Sequence, residues 1–189
     1  PDFKKFIAQK LEGFKESFET SMSNLRLDHV DLLSIHGINT QEKYERSMEY
    51  AIPQMVKWRE EGRIRFIGFS THGPADIIMK SAFSGFFDYI NVHWYFVNND
   101  NWSAIQAAAH QDMGVFIISP SNKGGLLYQP SPRLVELCQP LSPLVFNNLF
   151  CLSHPQVHTL SLGAARPGDF EEHLKTLPLL ERVDEILPP

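Results

Sequence analysis

Short apolar runs alternate with helical patterns along the whole chain. The runs have strand length and are apolar at nearly every position, which is typical of parallel strands covered on both faces. Six strands are predicted: Phe6–Lys10, His29–His36, Ile64–Thr71, Asp88–Trp94, Gly114–Pro120 and Val157–Ala164. Strand and helix repeat at intervals of about 25 to 40 residues, which predicts parallel strands joined by helical crossovers.

The segments between these strands carry helical signals. Phe14, Phe18, Met22 and Leu25 recur at helical spacing, so the first helix should bury one stripe. A second helical region covers residues 41–61 and should end at a glycine. The other predicted helices begin after Gly73, Ser131 and Ser142, or lie within Trp102–Ala109 and Phe170–Leu177.

Length and strand count together predict three-quarters of a barrel. A complete (β/α)8 barrel takes about 250 residues, and six-eighths of that is about 190, close to the 189 residues of this chain. We therefore expect an α/β fold, a partial (β/α)8 TIM barrel with about six of eight βα units, as one incomplete domain over residues 1–189. A doubly wound sheet of six strands is the structural alternative, but no GxGxxG fingerprint follows the first strand.

Polar side chains gather at the predicted carboxyl ends of the strands, where barrel enzymes place their catalytic groups. Because side chains alternate along a strand, parity places His36 and Ser70 inside the barrel. The same argument places Asn91 and His93 on one face, and Lys10 ends the first predicted strand. These five residues should converge on a pocket at the barrel mouth.

The segments around these residues resemble those of the aldo/keto reductases. Residues 25–36 (LRLDHVDLLSIH) are similar to the strand that carries the family's catalytic histidine, and residues 6–10 (FIAQK) resemble the strand with its catalytic lysine. Residues 61–70 (EGRIRFIGFS) resemble the family's G-K-I-R-x-I-G-x-S strand. Residues 114–120 (GVFIISP) and 161–167 (SLGAARP) resemble later strands, the second of them leading to the turn where the adenosine phosphate binds.

The resemblance implies NAD(P)H-dependent reduction of a small carbonyl substrate, with His36 and Lys10 as catalytic residues. In the family's mechanism, hydride moves to the carbonyl carbon while a tyrosine donates a proton to the oxygen. The histidine and the lysine, the latter held by an aspartate, polarise that oxygen and depress the pKa of the tyrosine. The family's aspartate and tyrosine precede the lysine strand. We therefore expect a truncated chain, beginning at Pro1, that is weakly active or inactive by itself.

The resemblance also implies a binding site for NADP or NAD. Its candidate residues are Ser70, Asn91, Ser119 and Arg166. Thr71 stands where the family has an asparagine that holds the nicotinamide amide, and Ile118 stands where the family has a tyrosine that stacks on the ring.

The composition argues against some classes of binding partner and indicates a cellular compartment. A net charge of −5 argues against nucleic-acid binding, which requires a clustered basic face. No apolar run approaches the roughly 20 residues of a membrane span. The two cysteines, Cys138 and Cys151, form no CxxC pair, which predicts reduced thiols in a cytoplasmic protein.

Two other functions stay open on the sequence. The chain could be a non-catalytic barrel that serves as an interaction or regulatory module, since an arc of strands has open edges that favour self-association or a covering partner. It could also be a metal-dependent lyase or hydrolase that uses His36, His72 and His93. Their spacing lacks the short ligand pair of common metal sites, and we predict no metal.

Overall fold

The computed structural model describes residues 3–187, with side chains from residue 11 onward. Its described strands form one parallel sheet in the order β1-β2-β3-β4-β5, so each strand pairs with its neighbours in sequence. The strands are β1 Val30–Ile35, β2 Ile64–Ser70, β3 Tyr89–Val92, β4 Gly114–Ile118 and β5 Thr159–Ser161. This is the alternating α/β arrangement that the sequence pattern predicts.

Helices connect and flank the strands. They are α1 Phe3–Leu25, α2 Gln41–Arg46, α3 Ile52–Glu60, α4 Ala75–Ala82, α5 Trp102–His110, α6 Pro132–Cys138, α7 Pro143–Leu152, α8 Pro167–Leu174 and α9 Val183–Ile186. A π-helical turn over Ser47–Ala51 joins α2 to α3, and 3-10 turns cover Leu126–Tyr128 and Leu177–Arg182. In residues 3–187 no helix combines the length and hydrophobicity that a bilayer crossing requires.

The predicted first strand is wrong, because Phe6–Lys10 lies inside helix α1. Residues 3–19 contain four lysines and three glutamates, which favour helix, and their one β-branched residue is Ile7. Phe18 and Met22 then continue the helix along one buried stripe. Five strands rather than six are therefore present among the described residues.

The hydrophobic core lies between one face of the sheet and the flanking helices. The sheet contributes six fully buried side chains: Ile67, Phe69, Ile90, Val92, Val115 and Ile117. Met55 and Trp58 of α3 and Ile78 of α4 pack into the same core. Trp58 also stacks on Phe18 of α1 with ring centroids 4.0 Å apart, which fixes α1 against α3.

The opposite face of the sheet is only partly covered. Leu32 of β1 and Phe66 of β2 are paired neighbours on that face, and they remain 43% and 37% exposed. The parity that places His36 and Ser70 inside the barrel also places Leu32 and Phe66 on the interior face. The structure puts them on that face, where Leu32 borders a cavity with residues of α1 and both side chains stay partly open to solvent.

Candidate active site

His36 and Ser70 meet at the carboxyl ends of β1 and β2. The parallel register pairs Ile35 with Phe69, so the residues that follow lie side by side. His36 Nδ1 is 3.0 Å from Ser70 Oγ, and the Gly37 amide donates to the same oxygen over 3.1 Å. The His36 ring is exposed, and within the described residues its Nε2 makes no hydrogen bond. One ring nitrogen is thus anchored while the other faces solvent.

A second polar group lies one layer deeper in the sheet. Asn91 Nδ2 donates to Ser34 Oγ over 3.0 Å, and Ser34 Oγ is 2.8 Å from the Tyr89 hydroxyl. These side chains cross over β2 at Gly68, where a Cβ atom would lie 2.3 Å from Tyr89 Cζ. Burial raises the pKa of the Tyr89 phenol, which therefore stays protonated at neutral pH. Asn91 is thereby fixed by contacts within the sheet.

His72 and His93 form a separate pair beyond β2 and β3. Their ring centroids are 4.2 Å apart, and His93 Nδ1 is hydrogen-bonded to the Tyr95 hydroxyl. His93 is 8% exposed, and its Nε2 has no partner among the described residues. Burial lowers the pKa of His93 to about 4, so the ring is neutral at physiological pH. Nowhere in residues 3–187 do three or more metal-ligating side chains come together.

Ser119 and Arg166 line one cavity of about 740 Å³ between the loops that follow β4 and β5. Ser119 comes directly after β4 with φ 52°, and Arg166 is the residue before the first turn of α8. Gly124 and Gly125 also line it, with φ of 74° and 84°. These left-handed glycines present backbone to the cavity without a side chain, which allows a ligand to approach the chain closely. The volume of the cavity and the exposed backbone of Gly124 and Gly125 fit part of a dinucleotide.

The family profile of the aldo/keto reductases matches residues 8–140, which is more than half of the chain. The chain belongs to the aldo/keto reductase family. The L-galactose dehydrogenase of Arabidopsis thaliana is 30% identical over 125 residues, an alignment that spans 64% of this chain and 39% of that protein.

Solved aldo-keto reductases share the fold. The holo form of an enzyme from Bacillus halodurans superposes with a TM-score of 0.71 at 19% identity, covering 92% of this chain and 66% of that one. An aldo/keto reductase from Klebsiella pneumoniae in complex with NADP and acetate gives a TM-score of 0.65 at 15% identity, covering 93% and 65%. The predicted partial barrel is confirmed by this likeness, and the chain spans less than two thirds of these relatives.

The predicted site residues of this aldo/keto reductase chain fall into separate groups. His36 bonds Ser70, and Ser119 shares a cavity with Arg166. Asn91 is the register partner of Ser70 on the neighbouring strand but bonds Ser34. The Lys10 side chain lies outside the described residues, and its backbone is helical rather than extended. Its catalytic role therefore stays a prediction.

Sequence reasoning missed a hydrogen-bond network beside the cavity, which is buried at Asn148 and His173. The Tyr128 hydroxyl donates to the Gly163 carbonyl over 2.9 Å and lies 2.8 Å from His173 Nε2. Asn148 Nδ2 lies 3.0 Å from His173 Nδ1. Because the phenol proton goes to Gly163, His173 donates from Nε2 and accepts at Nδ1, which defines a neutral ring. Burial lowers the pKa of His173, in agreement with this tautomer. The network joins the loops after β4 and β5 to α7 and α8.

Proposed function

We propose that this chain binds a nicotinamide dinucleotide at the strand ends and contributes His36 to the reduction of a small carbonyl compound. The observation that carries the proposal is the hydrogen bond of His36 Nδ1 to Ser70 at the ends of β1 and β2. Membership of the aldo/keto reductase family supports it, as does the NADP bound to the Klebsiella pneumoniae relative.

His36 would act on the carbonyl oxygen through its second ring nitrogen. When Ser70 donates its hydroxyl proton to Nδ1, the ring proton resides on Nε2, the nitrogen that faces solvent. A hydrogen bond from Nε2 to a carbonyl oxygen draws electron density from the carbonyl carbon, and it stabilises the negative charge that develops on the oxygen. The Gly37 amide holds Ser70 Oγ in place for this role.

The cofactor would be held by Ser70, Asn91, Ser119 and Arg166. A reduced nicotinamide would supply the hydride that reaches the carbonyl carbon. Ser70 and Asn91 occupy adjacent positions on β2 and β3, as paired residues of the register. Ser119 and Arg166 provide a hydroxyl and a cation to the 740 Å³ cavity, where phosphate groups can also meet the backbone of Gly124 and Gly125.

The proposal includes weak turnover, or none, for these 189 residues by themselves. Tyr50 lines a cavity of about 280 Å³ together with His36, but burial and a hydrogen bond to Glu49 raise its pKa to about 12. Family-type proton donation instead requires a tyrosine with a depressed pKa. Loss of a positioned proton donor removes a factor of roughly 10² to 10⁴ in rate.

Calorimetric titration of the purified chain with NADH and NADPH tests the proposal. Ser70→Ala should weaken binding by up to about tenfold, since one hydrogen bond is lost. Ser21→Ala is the matched control, because that hydroxyl bonds only the Ser17 carbonyl within α1 among the described contacts. Absence of heat and of a thermal shift at millimolar dinucleotide would overturn the proposal.

A second function, as a non-catalytic interaction module, has one observation in its favour. Leu32 and Phe66 expose apolar surface on the open sheet face, where a partner or a second copy could pack. Under this alternative the chain would bind a protein surface without binding a dinucleotide.

We further propose a cytoplasmic location, because Cys138 and Cys151 are both buried free thiols.

A further inference from the structure

The cavity beside β4 and β5 contains one charge pair. Among its described lining residues, Arg166 is the one cation and Asp169 is the one anion. Arg166 Nη2 lies 3.4 Å from Asp169 Oδ1. The Arg166 side chain is 79% exposed, whereas that of Asp169 is 10% exposed. The positive charge of this wall is therefore already matched by a fixed, buried negative charge.

Asp169 also occupies the backbone donors at the start of α8. Its Oδ2 accepts hydrogen bonds from the amides of Ala165 over 2.9 Å and Arg166 over 3.0 Å. Such amides, together with the positive end of the helix dipole, are what an anionic group would otherwise bind. The hydrogen bond from the Arg166 amide, followed by that from Ala165, lowers the pKa of Asp169, so its carboxylate is ionised at neutral pH.

Among the described side chains, α8 and the turn after it provide no unpaired cation that could offset the negative charge of Asp169. Lys175 Nζ is 2.5 Å from Glu172 Oε2, and that carboxylate also accepts from Ser142 through its other oxygen. Glu171 adds a further exposed negative charge on the same helix. Lys123 lines a different cavity, with His72 and His93.

We infer that Asp169 makes this site select NAD(H) over NADP(H). NADP(H) differs by one phosphomonoester, which carries up to two negative charges and needs donors and cations to replace its water. In this cavity the single arginine and the amides of Ala165 and Arg166 are already bound to the Asp169 carboxylate. The additional phosphate would meet that carboxylate at close range and gain little. The inference rests on the proposed function, because it assumes that the dinucleotide lies in this cavity.

The test compares two affinities on the same protein, by calorimetric titration with NAD⁺ and with NADP⁺. We expect wild type to bind NAD⁺ more tightly by about tenfold or more, the scale of one unfavourable charge contact. The ratio of the two dissociation constants is independent of the fraction of protein that is folded. It therefore reports selectivity rather than stability.

Asp169→Asn removes the charge and keeps an Oδ1 that can accept from both amides. It should raise the affinity for NADP⁺ by about tenfold and change that for NAD⁺ much less. Glu171→Gln is the matched control, since it removes the same charge from an exposed position on α8. It should shift the ratio by less than about twofold, because solvent screens exposed charges.

The results separate the two proposals. If wild type binds neither dinucleotide, the proposed function is wrong. This inference is then wrong as well, because it depends on a bound dinucleotide. If wild type binds NADP⁺ as tightly as NAD⁺ or more tightly, the dinucleotide site stands and the role of Asp169 is wrong. An unchanged ratio in Asp169→Asn would also overturn it. If that variant fails to fold, the ratio of the two dissociation constants of wild type still shows whether the site selects NAD(H).

Discussion

Histidines that the sequence pattern treats alike differ in how deeply the structure buries them. Sequence parity places His93 beside Asn91 as one of five polar groups at the barrel mouth, but β3 ends at Val92 and His93 turns into the protein. His36 remains exposed at the end of β1. Two residues with similar positions in the sequence pattern thus have different chemistry, because the loop after each strand determines which one meets solvent.

His93 should make the protein sensitive to acid. Its pKa is about 4 in the folded chain and about 6.5 when unfolded. Between these values the unfolded state binds more protons, so the free energy of unfolding should fall as pH decreases from about 6.5 to about 4. The loss should approach about 3 kcal/mol. Urea unfolding at several pH values measures it.

The variant His93→Gln isolates this contribution, since glutamine cannot take up a proton. Its free energy of unfolding should depend less steeply on pH than that of wild type in the same range. His110→Gln, outside the buried core at the end of α5, should keep the wild-type slope. A wild-type slope in His93→Gln would contradict the assignment.

Motifs predict some residue contacts and not others. His36 and Ser70 are expected at one edge because parallel strands end together, and the structure joins them at 3.0 Å. Tyr128, Asn148 and His173 carry no motif, and their contacts span 25 and 45 residues of sequence. Such contacts depend on how loops and helices pack, which local pattern does not determine.

Strand periodicity is informative for the central sheet and misleading at the start of the chain. The five strands β1 to β5 lie within the predicted runs. Phe6–Lys10 is apolar enough for a strand, yet it forms part of α1. A short apolar run has the same pattern in a buried strand and in a helix, and residue composition and continuity with the Phe18 stripe decide between them.

The packing of β2 against β3 depends on a glycine. A Cβ at Gly68 would overlap the Tyr89 ring, with 2.3 Å to Cζ. Gly68→Ala should displace that ring and break its contact with Ser34. We expect a loss of about 1–3 kcal/mol in the free energy of unfolding, as for other overpacked cores.

Gly13→Ala is the control for this change. Gly13 lies in α1, and a Cβ added there would meet no described atom from outside the helix within 4 Å, so alanine should stabilise the helix by up to about 1 kcal/mol. Chemical denaturation of both variants gives the comparison. A Gly68→Ala protein as stable as wild type would show that the Tyr89 ring is not fixed as described.

The sheet formed by the described strands has two open edges. β1 pairs only with β2 and β5 only with β4 among the described strands. Unpaired backbone groups along an edge, next to exposed Leu32 and Phe66, favour association with another chain. We therefore expect the sedimentation coefficient of the isolated chain to rise with concentration in analytical ultracentrifugation.

Phe66→Lys should reduce this association, because it places a charge on the open sheet face. Phe83→Lys, at a side chain that is 57% exposed after α4, removes an apolar group elsewhere and should leave association unchanged. A monodisperse monomer with strong amide protection along the outer edges of β1 and β5 would contradict the open arrangement.

If the carboxyl ends of these strands bind a nicotinamide dinucleotide, NADH should protect the surrounding backbone from hydrogen exchange. We expect slower amide exchange with NADH in residues 118–128, 161–169 and 70–73, where the cavity and the His36–Ser70 pair lie. Exchange in residues 59–64, at the opposite end of β2, should be unchanged. Slowing confined to other segments, or no slowing at millimolar NADH, would show that these strand ends do not bind the dinucleotide.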